Sequence, residues 1–293
     1  MKKSKLNKNY DRTGWLFTIP SILIIISFVF YPMIKALITS FESGMGNNLK
    51  FVGTANYTRL FTDDIFKKAV TNTLIYLVVQ VPIMILLALF ISVMLNDKNL
   101  KLKGFFRTAI FLPCVTSLVA YSVIFKSLFS NDGLMNNLLM NIHLITTPIE
   151  WITSPFWAKI TIIIAITWRW TGYNMIFYLA GLQNIDPSIY EAARIDGATG
   201  VKQFFHITVP LLKPIILFTT VMSTTGTLQL FDEVMNITKG GPGNASTTIS
   251  QYIYNLSFKY SPNFGYAAAV SFTIVIMIAV LSLIQFKVAG DEK

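Results

Sequence analysis

Apolar runs long enough to cross a lipid bilayer alternate along this chain with short polar connections, at roughly 15–39, 71–95, 105–128, 157–182, 210–231 and 266–287. A helix rises ~1.5 Å per residue, so about 20 mostly apolar residues cross a ~30 Å hydrocarbon core while satisfying their own backbone hydrogen bonds. The pattern predicts six spanning helices. Prolines fall inside several of them: Pro20 and Pro32 in the first, Pro82 in the second and Pro113 in the third. Each is expected to free a carbonyl and bend its helix. Gln80 beside Pro82, a polar group next to a break, predicts packing of that span against protein as well as lipid.

The connections differ in character. Phe51-Val52-Gly53 through Asn56-Tyr57 reads as an interfacial turn into the second span, with Phe61, Ile65 and Phe66 lying flat at the surface. Residues 129–155, carrying Asn131-Asp132-Gly133, Pro148 and Pro155, are turn-prone and are placed outside as the cap of a cavity. Asn236 through Gly243 forms a second turn-rich outer segment. The sequence contains no repeat, low-complexity tract or water-soluble domain.

Composition agrees with the hydrophobic pattern. Of 293 residues 53% are hydrophobic and 13% charged, and mean hydropathy is +0.57, whereas soluble domains carry about 25% charged residues. A net charge of +10 would suit nucleic acid if it were dispersed. Instead Lys2, Lys3, Lys5, Lys8 and Arg12 precede the first span; Lys98, Lys101, Lys103 and Arg107 crowd the second connection; Arg194, Lys202 and Lys213 mark the fourth; Lys287 and Lys293 close the chain. In a six-span topology all fall on one side, which the positive-inside rule makes cytoplasmic. Lys50, Arg59, Lys67 and Lys68, set against Glu42, Asp63, Asp64, Asp132 and Glu150 in the outer connections, weaken that bias without reversing it.

The expected layout is a cytoplasmic tail at 1–14, one transmembrane domain at 15–287, a cytoplasmic loop at 186–210 and a tail at 288–293, with both termini inside. The first run is too long for a signal-peptide core and no A-x-A-like site follows it. The single cysteine, Cys114, excludes an intrachain disulfide or a cysteine-rich metal cluster and reads as a small buried hydrophobe.

The cytoplasmic insert between the fourth and fifth spans is the most distinctive segment. Asp186-Pro187 reads as a helix N-cap followed by proline at the first helical position, and Ser188 with Glu191 offers a capping box as an alternative start. Ala192 and Ala193 are small enough for another surface to approach. Gly197 permits the turn that ends the helix, and Val201 to Phe205 restarts it ahead of Pro210 and Pro214. The insert is thus a helix–turn–helix knob.

Its spacing, Glu191-Ala192-Ala193, then Gly197, then nine residues to Ile207 and on to Pro210, resembles the EAA loop of binding-protein-dependent ABC importer permeases. The resemblance implies an all-α integral membrane protein with six transmembrane helices in the ABC type I importer transmembrane-domain fold. It implies that Tyr190, Glu191, Ala192, Ala193, Asp196, Gly197 and Ala198 couple to a cleft on a separate ATPase subunit. Val209, where leucine is commoner, is a small departure. Pro20, Tyr31-Pro32, Asn56-Tyr57, Asn72-Thr73, Leu112-Pro113, Ala180-Gly181-Leu182-Gln183, Thr238-Lys239-Gly240-Gly241-Pro242 and Gly265-Tyr266-Ala267-Ala268-Ala269 resemble the carbohydrate branch, which carries maltose, glycerol phosphate or multiple sugars, and within it the first of two permease subunits. The implied partners are a second homologous permease, two ATPase subunits that hold ATP and magnesium, an external sugar-binding protein or lipoprotein, and the lipid of a bacterial plasma membrane, with no nucleic acid. No cofactor is expected on this chain.

A sugar is held by hydrogen-bonding side chains and by flat aromatic faces. The fourth span supplies Trp168, Trp170, Gly172, Tyr173 and Asn174, and the fifth Ser223, Thr224, Thr227 and Gln229. By resemblance Gly172, Ser223, Thr227 and Leu230 fall where the maltose-permease class lines its sugar site, with Thr116 and Ser117 close by; small hydroxyl residues also suit helix packing in lipid. Arg169 lies mid-span, where a lipid-facing charge costs at least ~2.5 kcal/mol. It faces either a translocation cavity or a structural partner, a carboxylate or helix carbonyls. Asp232 and Glu233 are the available acids, at a shallow depth.

Catalytic chemistry finds no support. His143 and His206 are far apart without ligand-type neighbours, and Gly240–Ser246 lacks the Gly-Lys-Ser/Thr ending of a phosphate loop. ATP is therefore hydrolysed by another chain. An importer of an anionic solute such as glycerol phosphate or an acidic sugar remains an alternative. An ion-coupled secondary transporter is a more distant one, since it calls for acids or histidines within several spans.

Overall fold

The structure is a computed structural model and describes residues 5–45, 48–97 and 99–290; Lys2, Lys3, Lys98 and Lys293 of the basic bias lie outside the described residues. The chain divides into two units, Met1–Thr62 with Ile253–Phe272, and Asp63–Tyr252 with Thr273–Lys293.

In the first unit α1 (Lys5–Ile25) runs through a widened π turn at Ile26–Phe30 into α2 (Tyr31–Ser40). The widened turn sits just ahead of Pro32, whose missing N–H cannot close an ordinary turn. A feature absent from the hydrophobic pattern follows: β1 (Glu42–Met45) pairs antiparallel with β2 (Asn48–Phe51), Glu42 opposite Phe51. Two four-residue strands are too short to register as alternation; the glycine and asparagine between them were the available signal. The expected interfacial turn at Phe51-Val52-Gly53 is thus the end of a hairpin.

Behind the hairpin comes α3 (Ala55–Leu60). The Asn56 amide donates to the carbonyls of Ser40 (2.9 Å) and Glu42 (2.8 Å), and the hydroxyls of Tyr57 and Ser40 are 2.7 Å apart. Gly265 lies against the same hairpin so closely that a Cβ there would fall 1.8 Å from the Glu42 carbonyl oxygen. The Arg59 guanidinium covers the Tyr266 ring at 4.0 Å. These contacts explain why Asn56-Tyr57 and Gly265-Tyr266 stand out in the sequence.

The second unit is built on a long helix, α4 (Asp64–Asn96). It begins at Asp64 rather than near 71 because Asp63 caps it, accepting from the amides of Ile65 (2.9 Å) and Phe66 (3.0 Å). Ile65 and Phe66 therefore form the first turn of α4 and not a flat surface segment. Pro82 is accommodated without ending the helix. Then follow α5 (Lys103–Val115), α6 (Leu118–Leu128), α7 (Leu134–Asn141), α8 (Pro155–Gln183), α9 (Pro187–Ile195), α10 (Gly200–Gln203), α11 (Val209–Leu228) and α12 (Ile249–Tyr254); α13 (Phe264–Gly290) closes the described chain.

Among the described residues four helices are long and apolar enough to cross a membrane: Thr13–Ser40, Asp64–Asn96, Gly200–Leu228 and Phe264–Val288. The expected third span at 105–128 is not one helix, because α5 and α6 meet at a 100° bend. The expected fourth span, α8, has 29 residues but is too polar to count by composition. Its polarity is tolerated because it is enclosed: α8 packs on α4, α5 and α11, with Ala88, Leu89, Met175, Tyr178, Leu182 and Leu212 forming the shared core.

Residues 129–155 and the loop after Gly240 are each ordered by a buried amide side chain. Asn136, fully buried, donates to the carbonyls of Asn131 and Ile149 and accepts from the Ile149 amide and the Trp151 indole, tying residues 129–155 together. Asn72 donates to the carbonyls of Asn244 (3.2 Å) and Thr247 (3.0 Å), and the Thr73 hydroxyl accepts from the Ile249 amide, so the Asn72-Thr73 pair anchors the loop after Gly240.

Candidate functional site

A cavity of about 630 Å³ opens where α4, α8 and the end of α11 face one another. From α4 come Gln80 and Met84, from α8 Trp170, Tyr173 and Asn174, and from α11 and its continuation Ser223, Thr227, Gln229, Leu230, Asp232 and Glu233. Gln80, read from sequence as facing protein, accepts from the Thr227 hydroxyl at 3.2 Å. The Asn174 amide donates to the Trp170 carbonyl at 3.1 Å, while its buried Oδ1 has no hydrogen-bond partner. Trp170 and Tyr173 meet edge to face, centroids 5.8 Å apart, and Tyr173 continues to Phe177 at 5.0 Å. The wall thus combines aromatic surface with amide, hydroxyl and carboxylate groups, the chemistry that holds a polyol.

Of the pathway residues expected from sequence, Asn174, Ser223, Thr227, Gln229 and Leu230 line this cavity; Thr116, Ser117, Trp168, Arg169 and Gly172 do not. Gly172 serves helix approach: a Cβ there would lie 2.1 Å from the Ile110 carbonyl oxygen on α5. Trp168 packs on the rings of Tyr121 and Phe125, at 6.3 and 5.3 Å.

Arg169 takes the structural alternative. Its Nη2 donates to the carbonyls of Thr116 (3.0 Å) and Cys114 (3.3 Å), groups that the break between α5 and α6 leaves without helical partners. The guanidinium also lies 4.7 Å from the Tyr121 ring centroid and 5.6 Å from that of Trp170. Thr116 and Ser117 are the two residues of the break itself, and the Thr116 hydroxyl donates to the Pro113 carbonyl at 2.7 Å. Glu233, buried and within electrostatic range of Arg169, is deeper than its place in the sequence suggested. Gln80, Asp232 and Glu233 are lining residues that sequence reading did not assign to the pathway. Their signal was a polar side chain inside or at the end of an apolar run.

The knob at 186–210 is a compact exposed unit. Asp186 is the cap that is used: its carboxylate accepts the Ser188 amide at 2.9 Å, which holds its carboxyl below the ordinary range. At the far end of α9 the Gly197 amide donates to the Arg194 carbonyl (3.0 Å) and the Ala198 amide to the Ala193 carbonyl (2.8 Å), with Gly197 at φ +77. That pair of bonds is a Schellman closure, which a left-handed glycine allows. Ala193 therefore supplies a capping carbonyl as well as a small side chain. Thr199 caps α10, Gln203 donates to the Ala198 carbonyl at 2.9 Å, and the Tyr190 and Thr208 hydroxyls meet at 2.9 Å. Glu191, Ala192, Asp196 and Gly197 are left exposed beside the apolar Ile195, Val201 and Phe205.

Comparison with known proteins bears on both regions. Residues 69–289 match the family described as binding-protein-dependent transport system inner membrane component. The lactose transport system permease protein LacF of Rhizobium radiobacter is 58% identical over 99% of this chain and 98% of its own length. The arabinooligosaccharides transport system permease protein AraP of Bacillus subtilis is 36% identical over 95% of this chain and 89% of its own. Among solved structures, a bacterial ABC transporter involved in the import of the acidic polysaccharide alginate superposes with a TM-score of 0.85 over 99% of this chain and 100% of that one, at 24% identity, a likeness of fold.

Proposed function

We propose a function from one premise: the chain belongs to the family of binding-protein-dependent transport system inner membrane components. It is a multi-pass membrane protein, the permease component of an ATP-binding-cassette importer for a sugar or oligosaccharide, and ATP hydrolysis belongs to separate subunits. The observation that carries this reading is the 58% identity with a lactose permease over 99% of the chain. The aromatic and hydrogen-bonding wall of the 630 Å³ cavity, large enough for a short oligosaccharide, supports it.

In this proposal an external solute-binding protein delivers the sugar, and a second homologous permease completes the pathway in a bacterial plasma membrane with both termini cytoplasmic. Two ATPase subunits receive the exposed face of α9, with Tyr190, Glu191, Ala192, Ala193, Asp196, Gly197 and Ala198 at or beside the contact. Closure of the ATPase pair on ATP binding moves the knob and shifts the spans from inward-facing to outward-facing. Such coupling requires contacts that differ in energy between the two states, and a rigidly closed α9–α10 unit transmits displacement without bending. Sugar enters beside Asn174, Ser223 and Thr227, and hydrolysis resets the cycle.

The test is uptake of labelled lactose and short arabino-oligosaccharides by cells expressing the complete transporter, with this subunit wild type or Gly197→Asp. Loss of uptake in the variant, with the protein still assembled in the membrane, supports both the solute class and the coupling role. Undiminished uptake in the variant removes the coupling role, and absence of uptake of any sugar by the wild type removes the solute class.

A further inference from the structure

The charged groups on the cavity wall are of one sign. Asp232 and Glu233 line it, and among the described residues no lysine, arginine or histidine does. Glu233 is 4% exposed and Asp232 is half-buried. The neighbouring cation, Arg169, does not line the cavity: its Nη2 donates to the carbonyls of Cys114 and Thr116, and its Nε and Nη1, without hydrogen-bond partners, are buried. One guanidinium offsets one carboxylate at most, and among the described residues Asp232 forms no salt bridge.

A second feature points to the same solute chemistry. Asn174 lines the cavity, is 2% exposed, and spends its amide N–H on the Trp170 carbonyl, which leaves Oδ1 as a buried acceptor without a donor. Asn174 Oδ1 and the two carboxylates therefore offer acceptors. A sugar hydroxyl donates to all three, whereas a carboxylate, sulfate or phosphate oxygen donates to none and meets like charge in a poorly screened site.

We propose that Asp232 and Glu233 set the charge specificity of the cavity, excluding anionic solutes and admitting uncharged sugars that donate hydroxyls to Asn174 Oδ1 and the two carboxylates. This rests on the cavity being the sugar site, as read above, and it decides between the neutral and anionic alternatives that the sequence leaves open.

The external binding protein would filter solutes first, so the experiment omits it. The assembled permease–ATPase complex in lipid nanodiscs is titrated with a labelled neutral disaccharide, competed by an unlabelled neutral disaccharide or by one of equal size containing a uronic acid. The expected result is an acidic competitor at least tenfold weaker on the wild type. That ratio should shrink threefold or more in Asp232→Asn and, as a second variant, in Glu233→Gln. Because the ratio is taken within one variant, a general loss of affinity cancels. A ratio near one in the wild type, or one unchanged in both variants, overturns the charge proposal while leaving the sugar site standing. Absence of saturable binding of the neutral disaccharide to a complex that still imports it in cells overturns the sugar-site reading, and the charge proposal with it.

Discussion

Arg169 Nη2 donates to the Thr116 carbonyl oxygen at 3.0 Å, across a break that turns α5 from α6 by 100°. The freed carbonyls and the buried guanidinium partly satisfy each other through Nη2, while Nε and Nη1 stay buried without partners. Replacing Arg169 by Gln shortens the side chain, removes the charge and strands those carbonyls. Hydrogen bonds to charged groups contribute about 1.5–3 kcal/mol. We expect Arg169→Gln to lower the thermal midpoint of the purified complex by several degrees, with uptake falling in proportion to the folded protein that remains. Normal stability with selective loss of sugar affinity would return Arg169 to the cavity wall.

Gly172 is the position at which α5 and α8 touch backbone to backbone. A Cβ would lie 2.1 Å from the Ile110 carbonyl oxygen, and backbone cannot rotate aside as a flexible side chain can. Overpacking of this kind costs typically about 1–3 kcal/mol. Gly172→Ala should therefore reduce the amount of protease-resistant protein in membranes. Gly104→Ala, on the same α5 and with nothing within 4 Å of its Cβ, should not. Equal amounts of resistant protein from the two variants would argue that α5 and α8 are not so closely apposed.

Thr227 and Gln80 form a hydroxyl–amide pair at 3.2 Å on the cavity wall. Thr227→Val keeps the shape and strands Gln80 Oε1, a buried acceptor, at about 1–3 kcal/mol. A solute hydroxyl that fills the gap would recover part of this. The expected outcome is a lower thermal midpoint for the empty complex with no fall in sugar affinity, because a hydroxyl donating to Gln80 Oε1 regains on binding what the empty variant lost, and binding becomes more sensitive to removal of that hydroxyl than in the wild type. Titration with a set of deoxy sugars checks it.

Much of the architecture was legible because lipid imposes length and apolarity on a spanning helix, although the run at 105–128 is two helices meeting at a 100° bend and not one long helix. What escaped has identifiable causes. Thr116 and Ser117 were visible, yet the bend depends on Arg169 from α8 satisfying the freed carbonyls, a contact 53 residues away in the chain. The hairpin at Glu42–Phe51 depends on Asn56 and Gly265 rather than on strand pattern. Arg169 was legible as an anomaly, but the sequence offered two kinds of partner and the structure uses helix carbonyls. Asp232 and Glu233 looked shallow because depth was judged by distance from the span centre, whereas a cavity brings the end of α11 inward.

Asp186 caps α9 through the Ser188 amide. Its carboxyl is held below the usual value of about 3.9 by accepting that amide and the Ser188 hydroxyl. A depressed carboxylate pKa contributes stability above the unfolded value, and that contribution is lost as pH falls through the folded value. Acidification below about pH 4 should thus fray the start of α9. Asp186→Asn, a neutral cap, should remove the pH dependence, and Asp186→Ala the cap itself. Amide hydrogen exchange of residues 188–191, corrected for intrinsic rates, reads this directly; identical protection in all three proteins at pH 6 would mean that the cap contributes nothing.

Asn72 holds the 240–249 loop, donating to the carbonyls of Asn244 and Thr247. Tyr76 donates to the Ser246 carbonyl at 3.2 Å one turn along α4. These carbonyls belong to a loop whose Ser246, Thr247 and Thr248 are almost wholly buried, so removing the donor leaves acceptors that no water readily reaches. Each costs about 1–3 kcal/mol when stranded. Asn72→Ala should therefore expose the 240–249 loop to protease added from outside while Tyr76→Phe, losing one bond of the three, loosens it less. Because local opening populations follow the free energy of opening, the two variants should be ordered by digestion rate, Asn72→Ala fastest. The reverse order would place the anchor of this loop on Tyr76 rather than on Asn72.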